Sequence, residues 1–339
     1  MKKAVTGILK LGIPLAIGVW LIYKQYHDLG PAQREELYTA LRGAGMGWVA
    51  LSLLVGLLSH MSRGWRWRYL LEPLGHRPGF WNCYHAVMIG YFMNLFLPRA
   101  GEASRAATLY RADKVPFEQG FGTILAERAV DVLMLLGIAG LTLLLQLDKL
   151  DLFQQRIAAF RLAQGRAPDE GSGLGWWLLG GLVLAGAVGA WLLLTRPALR
   201  ARFMDLVRGF GQGLQAVFRT QRKGAFVLHT LLIWACYVGM FALGFLAIPG
   251  MEAVPMAGIL AGFVAGTIGI GLVQGGIGVY PQFVAMIVSV YLATPAGGGF
   301  IRPDALALGW LLWVAQTLMM IVLGGLSLLL MALKRSPEA

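Results

Sequence analysis

Two stretches of this sequence place ionisable side chains directly beside long apolar segments. In the first, 91–106, an apolar run ends at a proline, and Arg99, Gly101, Glu102 and Arg105 follow at once. Proline and glycine interrupt helices, so a second, short helix is expected to open near Gly101. The free N–H groups of a helix N-terminus attract anions, and Arg99 and Arg105 would add forked donors suited to phosphate. The stretch therefore predicts an anion site; the competing interpretation is arginines that merely extend to the membrane interface.

The second stretch is "LAERAVDVLMLL", where Glu127, Arg128 and Asp131 interrupt an apolar helix. Glu127 and Asp131 are four residues apart, and Arg128 and Asp131 are three apart, so they share about half of the helix surface. Three ionisable groups within about one turn of a membrane helix are costly and normally face the interior of a bundle. We expect this cluster to join the arginine-rich stretch in one polar site on the cytoplasmic half. A structural ion pair that joins helices is the alternative.

A third stretch, 266–281, reads "GTIGIGLVQGGIGVYP" and is rich in glycine. It is not a nucleotide-binding loop, because no strand precedes it, no P-loop lysine follows it and both flanks are strongly apolar. Glycines here permit a sharp break in a helix and a close approach between helices. Gln274 is the only strongly polar side chain near the break. We therefore expect substrate contacts from Gln274, Gly275, Gly276 and Gly278.

Composition determines the class of protein that must position these groups. The chain has 339 residues, of which 57% are hydrophobic and only 14% charged. Its continuous apolar runs match the roughly 30 Å hydrocarbon core, and they lack the alternation of a barrel strand. The sequence thus predicts an all-α polytopic membrane protein. The net charge of +12 fits cytoplasmic loops and anionic lipid better than nucleic acid.

Six full spans and two interrupted hairpins are expected within a single transmembrane domain, 1–339. The spans are 5–23, 46–62, 118–147, 174–195, 225–248 and 304–333. The hairpins are 80–113 and 256–293. No metal-ligand spacing or nucleophile–base set occurs, so we expect no cofactor, no metal and no enzymatic activity.

Charge distribution predicts how the chain threads the membrane. If both hairpins are re-entrant, most of the 29 Lys and Arg residues lie on the cytoplasmic side, including Arg63 and Arg66 in the segment after span 46–62. Both termini are then cytoplasmic. The hairpins dip from opposite sides, as in inverted-repeat transporters. The loop 196–224 is expected to form a basic amphipathic helix on the inner leaflet.

The polar residues also carry a family resemblance. The combination Asn-x-x-x-Pro-x-x-x-Gly-Glu…Arg…Glu-Arg-x-x-Asp, together with "GGIGVYP", resembles the lysylphosphatidylglycerol synthase transmembrane (flippase-like, UPF0104-type) family over about residues 10–330. It stands here as Asn94, Pro98, Gly101, Glu102, Arg105, Glu127, Arg128 and Asp131. Relatives often have a proline before the glycine pair and an acidic residue after it, where this chain has Gln274 and Pro281. The resemblance therefore leaves no carboxylate role at that tip.

The resemblance implies a bacterial inner-membrane protein that moves a lipid between leaflets. In the full-length synthases of that family this region is fused to a soluble aminoacyl transferase domain. We expect no such domain in this sequence, so lysyl transfer is not predicted. The expected substrates are anionic phospholipids or polyprenyl-phosphate-linked headgroups, held in a hydrated groove without ATP. A lipid-modifying enzyme is a conceivable partner. Two alternatives stay open: an ion- or proton-coupled carrier of a small solute, and a non-transporting accessory of a lipid or glycan biosynthetic enzyme.

In this scheme the charged residues divide into two groups. The phosphate would be held by Arg99, Arg105 and Arg128. The carboxylates would orient these arginines or meet an amine or a coupling proton; they are Glu102, Glu127 and Asp131. Asn94 completes the expected substrate-binding set.

Overall fold

A computed structural model describes residues 2–97, 100–149, 217–293 and 300–334, together with isolated positions between 151 and 204. Regular secondary structure within these ranges is entirely helical. The α-helices are α1 Lys2–Asp28, α2 Pro31–Arg42, α3 Met46–Leu71, α4 Phe80–Phe96, α5 Ala100–Asp113, α6 Phe117–Gln146, α7 Lys223–Phe245, α8 Met256–Leu272, α9 Val279–Val290 and α10 Pro303–Leu333. Short 3₁₀ turns occur at Glu72–Leu74, Leu147–Lys149, Met251–Ala253 and Gln274–Gly276.

Three of these helices are long and apolar enough to cross a membrane: α6, α7 and α10, with mean hydropathies of 2.0, 2.0 and 2.1. The pair α2 and α3, bent by 67°, forms a fourth candidate if it is one span, and α8 and α9 are shorter apolar helices. The predicted all-α membrane class is confirmed. The predicted span 174–195 and the predicted amphipathic loop 196–224 lie mostly outside the described residues.

Helices α4 and α5 form an antiparallel pair over the predicted hairpin 80–113. At its open end the Asn82 Nδ2 donates to both carboxylate oxygens of Asp113 at 2.9 Å. Near its tip the Gly101 N–H donates to Asn94 Oδ1 at 2.8 Å. A Cβ at Gly101 would overlap the side chain of Asn94 and a backbone oxygen of α4. Glycine is therefore what lets the two backbones approach so closely.

Helices α8 and α9 form a second antiparallel pair over the predicted hairpin 256–293. Gly258 faces the ring of Tyr291 at the open end, and Gly266 faces Tyr280 nearer the tip. The expected helix break is confirmed, because the tip glycines adopt left-handed backbone with φ of 65°, 71° and 73° at Gly275, Gly276 and Gly278.

Helix α10 contacts both hairpins along its length. Its N-terminal half packs on α9, where a Cβ at Gly309 would lie 2.6 Å from a backbone oxygen. Its C-terminal half packs on α4, where Ser327 Oγ lies 2.9 Å from His85 Nδ1. Between them the Trp313 Nε1–H donates to the carbonyl oxygen of Gly275 at 2.7 Å. The second tip therefore lies beside the middle of α10, and its Gly275 lies close to the side chain of Leu95 near the end of α4.

Helix α3 corrects one expectation. It continues to Leu71 instead of ending at residue 62, and both Arg63 and Arg66 lie inside it. These arginines were expected in a cytoplasmic segment, but their exposed fractions are 3% and 0%. Their three-residue spacing places both on the helix face that meets α6.

Candidate functional site

A buried charge network connects α3, α5 and α6. Asp131 accepts from Arg63 Nη1 at 2.7 Å and from Arg66 Nη2 at 3.0 Å. Glu127 accepts from Arg105 Nη2 at 2.8 Å and lies 3.5 Å from Arg66 Nε. The five side chains are at most 10% exposed. The network therefore cross-links three helices through charged groups that are almost entirely buried.

Aromatic rings cover the guanidinium groups of this network. The Arg105 guanidinium lies 4.3 Å from the ring centroid of Trp67, and that of Arg66 lies 5.5 Å from Phe226. The Trp67 Nε1–H donates to Thr123 Oγ1 at 2.9 Å and so fixes the ring against α6. A planar guanidinium can bind carboxylates along its edge while an aromatic ring covers its face.

The pair of Arg128 and Glu102 differs from the buried network. Arg128 Nη2 donates to Glu102 Oε1 at 2.9 Å, but the two side chains are 41% and 20% exposed. Arg128 Nε is without a hydrogen-bond partner among the described residues. The pair can therefore exchange partners with a bound anion without exposing a fully buried charge.

Arg128 and Glu102 border a cavity of about 490 Å³ between the two hairpin tips, here named the tip cavity. The residues that line it come from α4, α5, α6, the second hairpin and α10. They are Tyr91, Asn94, Leu95, Glu102, Arg128, Ile270, Gly271, Gly275, Tyr280, Trp313, Gln316, Thr317 and Met320.

A second cavity of about 340 Å³, here named the aromatic cavity, lies next to the first. Tyr91, Arg128 and Gln316 are among the residues that line both cavities. One part of the aromatic cavity is charged, with Arg63 and Asp131. The remainder is mainly aromatic and aliphatic, and includes Val132, Leu135, Trp234, Tyr237, Met240, Phe241, Phe263, Met319 and Met320. The two neighbouring cavities therefore present both charged and apolar surfaces.

The structure brings many of the predicted site residues together. Those that line the tip cavity are Asn94, Glu102, Arg128 and Gly275. Asp131 lines the aromatic cavity. Arg105 and Glu127 lie outside both linings, in the buried network. Arg99 and the side chain of Gln274 lie outside the described residues.

The other predicted residues act through backbone geometry. Gly101 starts α5 in contact with α4, while Gly276 and Gly278 shape the second tip. The predicted helix N-terminus is present at Ala100, but Asn94 accepts from one of its N–H groups. That donor is thus already satisfied by protein, and Asn94 links the tips of α4 and α5.

Sequence reasoning missed several residues at this site. The acids of α6 are balanced by Arg63 and Arg66 of α3. Both cavities are also lined by Tyr91 and Gln316. The sequence did contain a sign of the α3 arginines. Because α6 has two acidic residues and only one arginine in its polar cluster, a cation from another helix is expected to balance the charge. Within the described ranges, no group of three His, Cys, Asp or Glu residues could hold a metal ion.

Known proteins are similar to this chain over part or most of its length. A family model described as "Lysylphosphatidylglycerol synthase TM region" matches residues 8–325. Among curated proteins, a glycosyltransferase (AglD) of Haloferax volcanii is 33% identical over 110 residues, which are 32% of this chain and 18% of that protein. A UPF0104 membrane protein of Methanocaldococcus jannaschii is 29% identical over 105 residues, 30% of this chain and 31% of that protein. The chain therefore matches less than a third of either relative's length, and no solved structure matches it.

Proposed function

Because the chain belongs to the lysylphosphatidylglycerol synthase transmembrane family, we propose that it moves a phosphate-bearing lipid between the two leaflets of a membrane without ATP. The observation that carries this proposal is an amphiphilic pair of cavities with a half-exposed arginine, Arg128, in the lining of both. A lipid headgroup needs charged groups and its chains need an apolar path. Both are found at this one site.

Arg128 is the group that best suits contact with a phosphate. The other three arginines of the cluster are bound to carboxylates and are at most 5% exposed. Arg128 is 41% exposed and has one ion pair, with Glu102. A phosphate could displace Glu102 and take two donors of the guanidinium fork. We therefore propose that Arg63, Arg66 and Arg105 hold the helices of the site together. Arg128 would bind the headgroup.

The charge balance of the cluster favours an anion. Four arginines face three carboxylates across the described part of the site, which leaves one positive charge in excess. An unbalanced charge in a poorly hydrated place is costly and favours a counter-ion. A phosphodiester carries the one negative charge that would balance it.

The apolar part of the site gives the lipid chains a path to the membrane. Val132 of α6 and Ile270 of α8 both line the aromatic cavity, yet they are 45% and 47% exposed. The cavity thus borders the outer, apolar surface of the bundle between these helices. Acyl or polyprenyl chains can remain outside this gap while the headgroup occupies the cavity.

For the topology we propose six spans and two re-entrant hairpins in a single transmembrane domain of a bacterial inner membrane, with both termini cytoplasmic. The packing supports this, because the hairpins approach opposite halves of a helix long enough to span. Their open ends would then lie on opposite faces of the membrane. Cysteines placed at Arg111 and Glu252 in a background without Cys83 and Cys236 should react with an impermeant thiol reagent from opposite sides. Labelling of both from one side would refute this topology.

A dithionite-quench assay in proteoliposomes tests the transport function. Fluorescent phosphatidylglycerol, lysyl-phosphatidylglycerol and a polyprenyl phosphate should each be tried as the labelled lipid. Protein should cause loss of the protected inner-leaflet signal for at least one of them, and Arg128→Ala should abolish that loss. Arg111→Ala is the matched control, because it removes an exposed arginine of α5 that is remote from both cavities.

The named glycosyltransferase relative favours a second candidate function. In it, this chain would support a membrane enzyme of glycan assembly without transporting lipid itself; in either case we propose that the chain is not itself an enzyme. Retained protection of every labelled lipid with folded protein, together with copurification of a glycan-assembling enzyme, would replace the transport proposal with this one.

A further inference from the structure

Two buried side chains of the aromatic cavity carry polar atoms that no described residue satisfies. His60 of α3 is 2% exposed, and neither of its ring nitrogens has a hydrogen-bond partner among the described residues. Trp234 of α7 is 7% exposed, and its Nε1–H also has no hydrogen-bond partner among the described residues. Both residues line the aromatic cavity. A buried polar group without a partner costs about 1–3 kcal/mol, so these two groups point to a polar ligand in the cavity.

His60 lies among two tyrosines and an arginine. The imidazole lies 4.9 Å from the ring centroid of Tyr91 and 6.4 Å from that of Tyr237. Tyr237 Oη accepts from Arg63 Nη2 at 3.3 Å and lies 3.1 Å from Tyr91 Oη. His60 precedes Arg63 by three residues on α3, a rise of about 4.5 Å. His60 thus lies about one helical turn from Arg63, which lines the same cavity.

The chemistry of these groups selects a class of ligand. A neutral imidazole offers one donor and one acceptor, and an indole offers one donor. A hydroxyl group both donates and accepts, so neighbouring hydroxyls can satisfy all three atoms. Flat aromatic rings provide apolar surfaces for the C–H faces of a glycerol or sugar. Aromatic rings would also attract a quaternary ammonium. The same lining, however, has two arginines, Arg63 and Arg128, against one carboxylate, Asp131, and this excess of positive charge disfavours a cation.

We infer that the aromatic cavity binds a hydroxyl-bearing group attached to the phosphate, a polyol or a sugar, through His60 and Trp234. This inference rests on the proposed function, because it gives the headgroup a second part beyond the phosphate. Arg128 would contact the phosphate, and His60 would distinguish a polyol phosphodiester from a bare phosphomonoester.

The test compares two lipids with identical chains: phosphatidylglycerol, which carries hydroxyls, and phosphatidic acid, which lacks them. Wild-type protein should transport phosphatidylglycerol faster in the dithionite assay. His60→Phe should lower that rate roughly twofold to tenfold, the effect of one lost hydrogen bond, and leave the phosphatidic acid rate unchanged. His60→Gln keeps a donor and an acceptor and should retain the preference. Arg128→Ala should abolish transport of both lipids.

Binding of short-chain forms of the same lipids to the detergent-purified protein separates this inference from the transport proposal. If no lipid is transported but phosphatidylglycerol binds more tightly than phosphatidic acid in a His60-dependent way, transport fails and the inference stands. An equal effect of His60→Phe on both lipids, or no effect on either, would overturn it. Soluble glycerol 3-phosphate is the third arm. Competition by it as effective as that by short-chain phosphatidylglycerol would show that the site takes the polyol phosphate from a free solute.

Discussion

Replacing Asp131 with alanine should destabilise the protein much more than replacing Arg128. Asp131 pairs with Arg63 and Arg66, whose side chains are 3% and 0% exposed. Among the described residues, its loss leaves Arg63 with only the Tyr237 hydroxyl, and Arg66 with the Thr230 hydroxyl and a single carboxylate at 3.5 Å. Removing one partner of a buried ion pair costs about 3–5 kcal/mol, because the remaining charge stays buried. The Arg128 pair is partly exposed, and such pairs contribute about 0.2–1 kcal/mol.

The free energy of unfolding in mixed micelles, from reversible denaturant titration, measures this difference. Asp131→Ala should lower it by several kcal/mol, whereas Arg128→Ala should lower it by about 1 kcal/mol or less and still abolish lipid transport. The two variants therefore separate a structural carboxylate from a functional arginine. Equal losses of stability would refute the division of the cluster into a buried frame and an exposed binding group. A stable Asp131→Ala protein would show that the buried network does not hold α3 to α6.

Two further substitutions test the packing that positions the site. Gly309→Ala should lower the free energy of unfolding by about 1–3 kcal/mol, because the added methyl group would overlap a backbone oxygen of α9. The control is Gly325→Ala, which should be nearly neutral because the space around Gly325 is open. Trp67→Phe should lower the free energy of unfolding by about 1 kcal/mol, because it removes the 2.9 Å hydrogen bond to Thr123. The control is Trp65→Phe, which should change the unfolding midpoint little because Trp65 is 40% exposed. Thermal unfolding in detergent checks both pairs, and a larger effect in either control would contradict the packing argument.

Several features of the fold were predictable from local sequence. Apolar runs of membrane length predicted the helical class, and α6 and α10 confirm two of the expected spans closely. The glycine-rich stretch predicted a helix break, which Gly275 and Gly276 show through their positive φ angles. Proline, glycine and apolar length act within a few residues. Their consequences can therefore be read without knowing the rest of the fold.

The partners of the charged residues were not predictable in the same way. Arg66 lies 65 residues before Asp131, and nothing in the spacing of either stretch states that α3 packs beside α6. The basic stretch after residue 62 was assigned to a cytoplasmic segment because charges normally end a span. A charged residue that is paired inside a helix bundle can instead lie within a membrane span. For the same reason Arg105, a candidate phosphate ligand by sequence, lies against Glu127 and Trp67 instead.

Charge is distributed unequally between the two hairpins. No Asp, Glu, Lys or Arg occurs between Glu252 and Arg302, so the second hairpin brings only backbone and neutral side chains to the tip cavity. The first hairpin brings Glu102 and, through Arg105, a bond to the buried network. Ion pairs across the cavity would hold the two tips together, but the second hairpin has no charged residue to form one. Among the described residues, the Trp313 indole of α10 donates to the Gly275 carbonyl oxygen of the second tip. In the proposed function, a headgroup entering between the tips would therefore displace one partly exposed ion pair, Arg128 with Glu102, and no buried one.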